Sequence, residues 1–415
     1  MRRFGPILIL LSGCTTEKVD AIPNGSSGSG GDNSPTWWED VAPIVYENCL
    51  GCHSAGGIAP FTLESYADVQ APTATVMAMA TEARLMPPWH ADNSGSCNTY
   101  RDARWLSDED IATIGAWAQA GAPEGDPANA PAKPGPPAGL ENVGSTLDIG
   151  VDYTPNADID DDYRCFVVDP AITTDMYLTA YEVKPGEPSV VHHVILYSLE
   201  SQADEDQAVA LDEADPLPGY ECFGGPGAGN SKFIGGWAPG TVVTRYPEGT
   251  GVLLHGGRRA ILQIHYNTLN GVMPDRTTMA IELASSVAKP AIIEMVANFN
   301  LSLPPGQEYV SAVGGNANPS PVPLTVHGVY PHMHQLGVDL KTTFQRGGET
   351  LCAVSVPDWD FHWQQFYFYE QPITVMPGDF VEIACGYDTR SRTMTTTWGE
   401  GTQDEMCLTF FYLTQ

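Results

Sequence analysis

Ala260-Ile-Leu-Gln-Ile-His-Tyr266 is rich in β-branched and aromatic residues and too short for a helix, so it reads as a single strand. Comparable runs recur from about residue 145 to Met406-Cys-Leu-Thr-Phe-Phe-Tyr412, separated by clusters of Gly, Pro, Asn and Asp. A hydrophobic fraction of 42% is ordinary for a globular protein, while the 42 Gly and the 34 Pro favour turn-rich sheets over helix bundles. Roughly 270 residues are long for one sandwich, and the Pro-rich stretch from Pro290 to Pro305 is a natural seam. The expectation is two β-sandwich, jelly-roll-like domains, residues 145–288 and 289–415.

Upstream the pattern changes. Residues 122–144, with Pro123, Pro127, Pro131, Pro134, Pro136 and Pro137, read as a semi-extended linker. Residues 37–121 carry helical signals and predict a small all-α domain. These are an amphipathic start through Trp38, Val41, Ile44 and Val45, a segment from about Thr62 to Arg84 interrupted at Pro72, and a third helix ending at Gly121. The third helix opens at Ser107 with Asp110 three residues on, a capping-box pattern. Residues 14–36 form a Gly/Ser-rich flexible tether.

At the start, Met1-Arg2-Arg3, an apolar stretch from Ile7 to Leu11, and Leu11-Ser12-Gly13-Cys14 resemble a lipoprotein signal peptide spanning residues 1–13. Cleavage leaves Cys14 as the lipidated first residue. The chain is thus expected to be exported and lipid-anchored in a bacterial cell envelope, on the periplasmic face or the cell surface. No later run reaches the roughly 18 apolar residues that a spanning helix needs. A formal net charge of −32 disfavours nucleic acid and anionic membrane surfaces as partners, because both would repel it.

Cys49-Leu-Gly-Cys52-His53 is the Cys-x-x-Cys-His pattern of covalent haem c attachment. On a helix the two cysteines share a face, so both sulfurs reach the haem vinyl groups while His53 ligates iron. A structural disulfide, a zinc half-site and a thioredoxin-like redox pair compete with this reading; the following His and the helical context favour haem. The segment resembles small class I cytochrome c domains, whose second axial ligand is usually a Met from a loop after the middle helices. Met86, in Met86-Pro87-Pro88-Trp89, fits that position; His90 is a rival, and Met77 and Met79 read as core packing.

Five of the ten histidines fall in three clusters on expected strands: His192 and His193, His265, and the pair His332 and His334 flanking Met333. Residues i and i+2 of a strand share a face, so His332 and His334 can hold one metal without distortion. Adjacent His192 and His193 point oppositely in a regular strand and need a strand end or a bulge to converge. Imidazole suits copper, zinc or iron, and a Met thioether beside it tilts the choice toward copper. His255, His327 and His362 read as structural.

In this order, and over nearly all of 145–415, the clusters resemble the copper type II, ascorbate-dependent monooxygenases, the family of peptidylglycine α-hydroxylating and dopamine β-monooxygenases. The resemblance implies one copper on His192, His193 and His265. It implies a second on His332, His334 and Met406 of Asp404-Glu-Met-Cys407, where O2 is activated and the substrate hydrogen abstracted. Gln263 also matches, and i,i+2 spacing places it on the His265 face, on an electron path near the first copper or as a half-exposed strand residue. Nine cysteines, less Cys14, Cys49 and Cys52, leave six in an oxidising compartment. The family implies Cys165–Cys222 and Cys385–Cys407, with Cys97 and Cys352 as the remainder.

The chain departs from the peptide-amidating branch, which grips its substrate carboxylate with an Arg two residues before the His-x-His pair and with polar groups just after the Met. Here Tyr330, Leu408 and Phe410 stand at these positions, so the pocket face reads apolar and aromatic. The expected function is hydroxylation of a C–H bond of a small organic molecule with O2. Electrons would come from ascorbate or a redox protein and pass through the fused haem to the His192/His193/His265 copper. The alternative is a non-catalytic electron-transfer or copper-binding lipoprotein.

Overall fold

The computed structural model describes residues 34–55, 59–135, 138–241, 243–268, 271–361, 363–399 and 404–415. Residues 1–33, including Cys14, and His362 lie outside the described residues.

A short turn of helix at Trp37–Val41 leads into α1 (Ala42–Asn48), followed by α2 (Tyr66–Val69), α3 (Thr73–Glu82) and α4 (Asp108–Gln119). Pro72 stands just before α3, where a missing N–H costs nothing. At α4 the Ser107 hydroxyl accepts from the Asp110 N–H while the Asp110 carboxylate accepts from the Ser107 N–H, and three acidic residues in the first turn complement the helix dipole. Gly121, at φ 88°, supplies the left-handed residue that ends it. Trp37, Val41, Val45, Ile114 and Trp117 form the helical core, each burial worth roughly 1.5–3 kcal/mol. Met77 joins that core, but Met79 does not: it is 65% exposed, because residues two apart on a helix lie on nearly opposite sides.

The segment between α3 and α4 leaves the helices. Trp89, Ala91 and Tyr100 are buried in the core of the second sandwich, and Tyr100 forms a β-bridge with Tyr369. Of the all-α domain expected over 37–121, the long loop between α3 and α4 thus packs in the sheet region, where these large side chains find cover.

The first half of the β region contains β1 (Ser145–Asp148), β2 (Asp161–Val168), β3 (Met176–Lys184), β4 (Val191–Ser198), a helix α5 (Gln202–Ala214), β5 (Tyr220–Glu221), β6 (Lys232–Trp237), β7 (Thr244–Arg245), β8 (Thr250–Leu254), β9 (Ala260–Asn267) and β10 (Thr278–Ala284). The second contains β11 (Lys289–Ala297), β12 (Ser302–Leu303), β13 (Val310–Ala317), β14 (Leu324–His332), β15 (Gly337–Arg346), β16 (Glu349–Val356), β17 (Tyr367–Val375), β18 (Phe380–Tyr387), β19 (Thr396–Thr397) and β20 (Leu408–Thr414). A sheet ordered β5-β2-β9-β4-β6 packs in the first half through Val194, Leu196, Leu262 and Ile264. A sheet ordered β13-β18-β15-β16 does so in the second through Leu340, Phe344, Val354 and Ile383.

Both face the same nine-stranded sheet, ordered β1-β10-β3-β8-β11-β20-β14-β17 with β7 beside β3. The halves join where β11 pairs parallel with β8 and antiparallel with β20. The seam expected from Pro290 onward therefore begins in a strand that pairs first with β8, over residues 289–291, and then with β20, over residues 291–297, and the 288/289 boundary falls at the edge of that pairing inside one sheet. Three disulfides cross the structure: Cys97–Cys352, Cys165–Cys222 and Cys385–Cys407.

Candidate metal centres

Strand β9 carries His265, fully buried in the middle of its sheet, and β4 beside it carries His192 and His193. The ladder pairs Val191 with Tyr266 and His193 with His265, shifting register in between. That bulge turns two adjacent histidines toward one point. His265 Nδ1 lies 3.2 Å from the Nδ1 atoms of both His192 and His193. Ligand nitrogens around a tetrahedral metal with bonds of about 2.0 Å stand about 3.3 Å apart, so the three rings already have the spacing of one coordination sphere.

Behind this set, Asp161 Oδ1 accepts from His265 Nε2 at 2.8 Å, which fixes the ring and leaves its Nδ1 lone pair facing the other two. Tyr163, paired with His265 across β2 and β9, stacks on the imidazole at 4.1 Å and an interplanar angle of 4°. Neither residue carries a motif of its own, and only the strand register brings them here. Gln263 is buried on the same strand face, its Nε2 donating to the Cys222 carbonyl at 2.7 Å.

The second set is built at the end of a ladder. β14 pairs His332 with Leu408, so two residues on, His334 stands beside Met406. The His332 and His334 rings are 5.2 Å apart and nearly perpendicular at 87°. Glu405, wholly buried, accepts from the His334 N–H at 2.9 Å and the Leu336 N–H at 2.6 Å, clamping the His-x-His turn to the segment that presents Met406. Burial pushes the Glu405 carboxyl up to about 7. His332 Nδ1 is hydrogen-bonded to Gln364 Oε1, and His334 Nδ1 lies 3.3 Å from the Asp404 carbonyl, which leaves Nε2 of each ring for a metal. Burial and the neighbouring His334 push His332 down to about 3, holding it in the neutral, ligating form. Glu405 and Gln364 were not legible in advance; the first lies inside the Asp-Glu-Met-Cys segment, but nothing local marks it as a clamp.

Between the two sets lies a cavity of about 570 Å³, lined by His193 on one side and by His332, His334 and Met406 on the other. Tyr330, Leu408 and Phe410 line it as well, and Phe233 stacks on Phe410 at 4.7 Å. None of the described lining residues is Asp, Glu, Lys or Arg.

At the Cys-x-x-Cys-His segment, the Cys49 and His53 N–H groups donate to Val45 and Cys49 carbonyls and continue the α1 turn. Cys49 and Cys52 are not disulfide-bonded. His53 Nδ1 lies 3.0 Å from the Phe61 carbonyl, so its Nε2 is the nitrogen left for iron. Two free thiols one helical turn apart and a histidine of fixed tautomer fit covalent haem attachment. Met86 follows α3 and is 40% exposed, on a cleft with Trp89 and Arg104. His90 Nε2 is buried without a partner. Of the remaining histidines, His255 lies 3.7 Å from Asp175, and His327 is bonded to Thr414 Oγ1 at 2.9 Å.

Two histidine-rich sets thus stand in sandwiches that share a sheet and face each other across one uncharged cavity. Residues 289–414 match the family described as copper type II ascorbate-dependent monooxygenase, C-terminal domain. The chain is 26% identical over 294 residues to tyramine beta-hydroxylase of Caenorhabditis briggsae, covering 66% of this chain and 46% of that protein. It is 26% identical over 274 residues to peptidyl-glycine alpha-amidating monooxygenase B of Xenopus laevis, covering 63% and 29% respectively. The chain thus spans less than half the length of these relatives. Residues 289–414 are thus a C-terminal domain of the copper type II, ascorbate-dependent monooxygenase family, and the chain is similar to members of that family over about two thirds of its length.

Proposed function

We propose that the protein is a copper-dependent monooxygenase that hydroxylates a C–H bond of a neutral, apolar or aromatic small molecule. The observation that carries this reading is the cavity: one uncharged space touches His193 of the first set and all three members of the second. His192, His193 and His265 would hold one copper and His332, His334 and Met406 the other, with a haem c on Cys49, Cys52 and His53 and Met86 as its second axial ligand. Bound copper supplies O2 activation and one-electron storage, and haem c supplies one-electron transfer.

The residues of the chain do the rest. Tyr330, Leu408, Phe410 and Phe233 bind the substrate by apolar and edge contacts and displace water from beside the second site. Asp161 and Gln364 hold the ring protons of His265 and His332, so that each ligand presents a lone pair. The reaction consumes one O2, two electrons and two protons and returns the hydroxylated product and one water. The electrons come from an external donor, ascorbate or a redox protein.

Three disulfides support export to an oxidising compartment. Among the described residues no helix is long and apolar enough to cross a membrane; a lipid on Cys14 would supply the anchor. The test is copper by elemental analysis and haem by pyridine haemochrome on one sample matured in an exporting host. Two coppers and one haem c per chain, with substrate-dependent O2 uptake on a panel of neutral aromatics, are expected. Haem without tightly bound copper would sink the reading in favour of an electron-transfer lipoprotein.

A further inference from the structure

The loop between α3 and α4 is welded to the second sandwich, not merely laid on it. Trp89 packs edge-on against Tyr367 at 5.0 Å, Tyr100 packs on both Tyr367 and Tyr369, and the Arg101 N–H donates to the Phe368 carbonyl at 2.8 Å. The Cys97–Cys352 disulfide fastens the same loop to β16. The Cys-x-x-Cys-His unit is therefore held in a fixed place relative to the second metal set.

Arg104 stands in this weld. Gly240, at φ 84°, comes so close that a Cβ on it would lie 2.7 Å from Cys52 Sγ and 3.1 Å from Arg104 Nη1, so thiol and guanidinium are neighbours. Arg104 Nη2 donates to Gln365 Oε1 at 3.1 Å and to the Pro88 carbonyl at 3.3 Å. Gln365 is adjacent in the chain to Gln364, whose Oε1 is bonded to His332 Nδ1. A run of close, bonded and hydrogen-bonded groups thus leads from a haem-attachment cysteine through Arg104, Gln365 and Gln364 to a ligand of the second site. Nearby, His90 hydrogen-bonds the backbone of Asp358, and Trp359 Nε1 donates to the His334 carbonyl at 3.2 Å, so the same loop also abuts the other histidine of that site.

We infer that the haem-bearing unit delivers electrons directly to the His332/His334/Met406 site through Arg104, Gln365 and Gln364, without passing through the His192/His193/His265 site. The inference rests on the metal and haem assignments of the proposed function, and it replaces the route to the first copper that the sequence suggests. In the step, one electron leaves ferrous haem, which becomes ferric, and reduces Cu(II) at the second site to Cu(I). No bond forms or breaks, and an external one-electron reductant such as ascorbate or a redox protein restores the haem. Arg104, Gln365 and Gln364 are positioning residues that keep the two sites in contact through packed, ordered groups.

The experiment uses the full chain carrying haem c and Cu(II), kept anaerobic, with haem reduced by a photochemical one-electron pulse and its ferrous absorbance followed in time. Three proteins are compared: the unaltered chain, a His192→Ala/His193→Ala variant and a His332→Ala/His334→Ala variant. Copper occupancy of the surviving site is verified by electron paramagnetic resonance. Rapid decay of ferrous haem should persist when the first site is emptied and be lost when the second is. Arg104→Leu should slow the decay with both coppers still bound; if that variant fails to take up haem, Gln365→Leu, on the copper side of the contact, reads the same step.

Decay that survives emptying the second site but not the first would overturn the route, as would Arg104→Leu and Gln365→Leu proteins that decay at the unaltered rate. An unaltered chain that binds both metals yet shows no decay would also overturn it while leaving the monooxygenase reading intact. A chain that takes up no copper would sink both, and one that takes up copper but no haem would overturn the route alone.

Discussion

The two proposed metal sites use almost the same side chains and are built in opposite ways. The first is assembled inside a sheet: two neighbouring strands and one bulge bring three Nδ1 atoms to coordination spacing, and Asp161 and Tyr163 come from the next strand of the ladder. The second is assembled where a ladder stops, at the end of β14 and just before β20, and its ligands are held by side chains from elsewhere: Glu405, Gln364 and the Cys385–Cys407 disulfide. Strand register supplies most of the first set, which meets the cavity only through His193. The second, which meets it through all three members, gives up part of that ladder and has polar clamps in exchange.

This difference can be broken at several points. The largest effects should come from the disulfides. Replacing Cys165 and Cys222 together with Ala opens the longer loop and should cost about 4 kcal/mol in chemical denaturation, while Cys385→Ala/Cys407→Ala should cost about 3 kcal/mol. Copper analysis should rank them the other way: only the second pair adjoins a ligand, so only its loss should empty a site. Equal copper loss in both would show that the first site is as dependent on its clamp as the second.

Next in size is Glu405→Gln. A carboxylate that accepts from the His334 and Leu336 N–H groups becomes an amide with one acceptor oxygen, leaving a buried donor unmatched at about 2 kcal/mol. Copper should be lost from the second site and retained at the first; a site-resolved copper titration showing both retained would remove Glu405 from the clamp. Asp161→Asn should weaken copper at the first site by roughly 10–100-fold in a chelator competition, with unfolding stability little changed, because only the ring proton of His265 is affected. The smallest effect belongs to His255→Ala, expected within about 0.5 kcal/mol and with unchanged copper content, since this histidine touches neither site.

Much of this arrangement is legible in the sequence. The capping box at Ser107, the break at Pro72 and the short strands are local patterns, and local physics sets them. The need for a bulge at His192 and His193 followed from strand alternation, and the ladder shifts register at that place. What stayed hidden depends on contacts between distant parts of the chain. Asp161 is one of 51 acidic residues, and nothing but its register against β9 singles it out. The pairing of β8 with β11 is parallel and crosses the expected domain boundary, where a run of prolines read as a seam. Trp89 and Tyr100 sit between two helices in sequence, yet their cover comes from β17, more than two hundred residues away.

The β8–β11 pairing also bears on how the molecule can move. Domains joined by a linker can hinge open to admit a substrate and close over it. Here the first set sits on the five-stranded sheet and the second at strand ends of the nine-stranded sheet that both sandwiches share, and swinging the two halves apart would mean breaking the main-chain hydrogen bonds of the β8–β11 pairing. The two halves therefore do not swing on a linker, and the gap across the cavity is spanned, as in an arch, by the shared sheet and the packing of the facing sheet on it. Access for a substrate falls to side chains and to surface loops such as the glycine-rich stretch Gly224–Gly229 at the cavity wall, and the size of molecule admitted is set by those loops, not by how far two domains can swing.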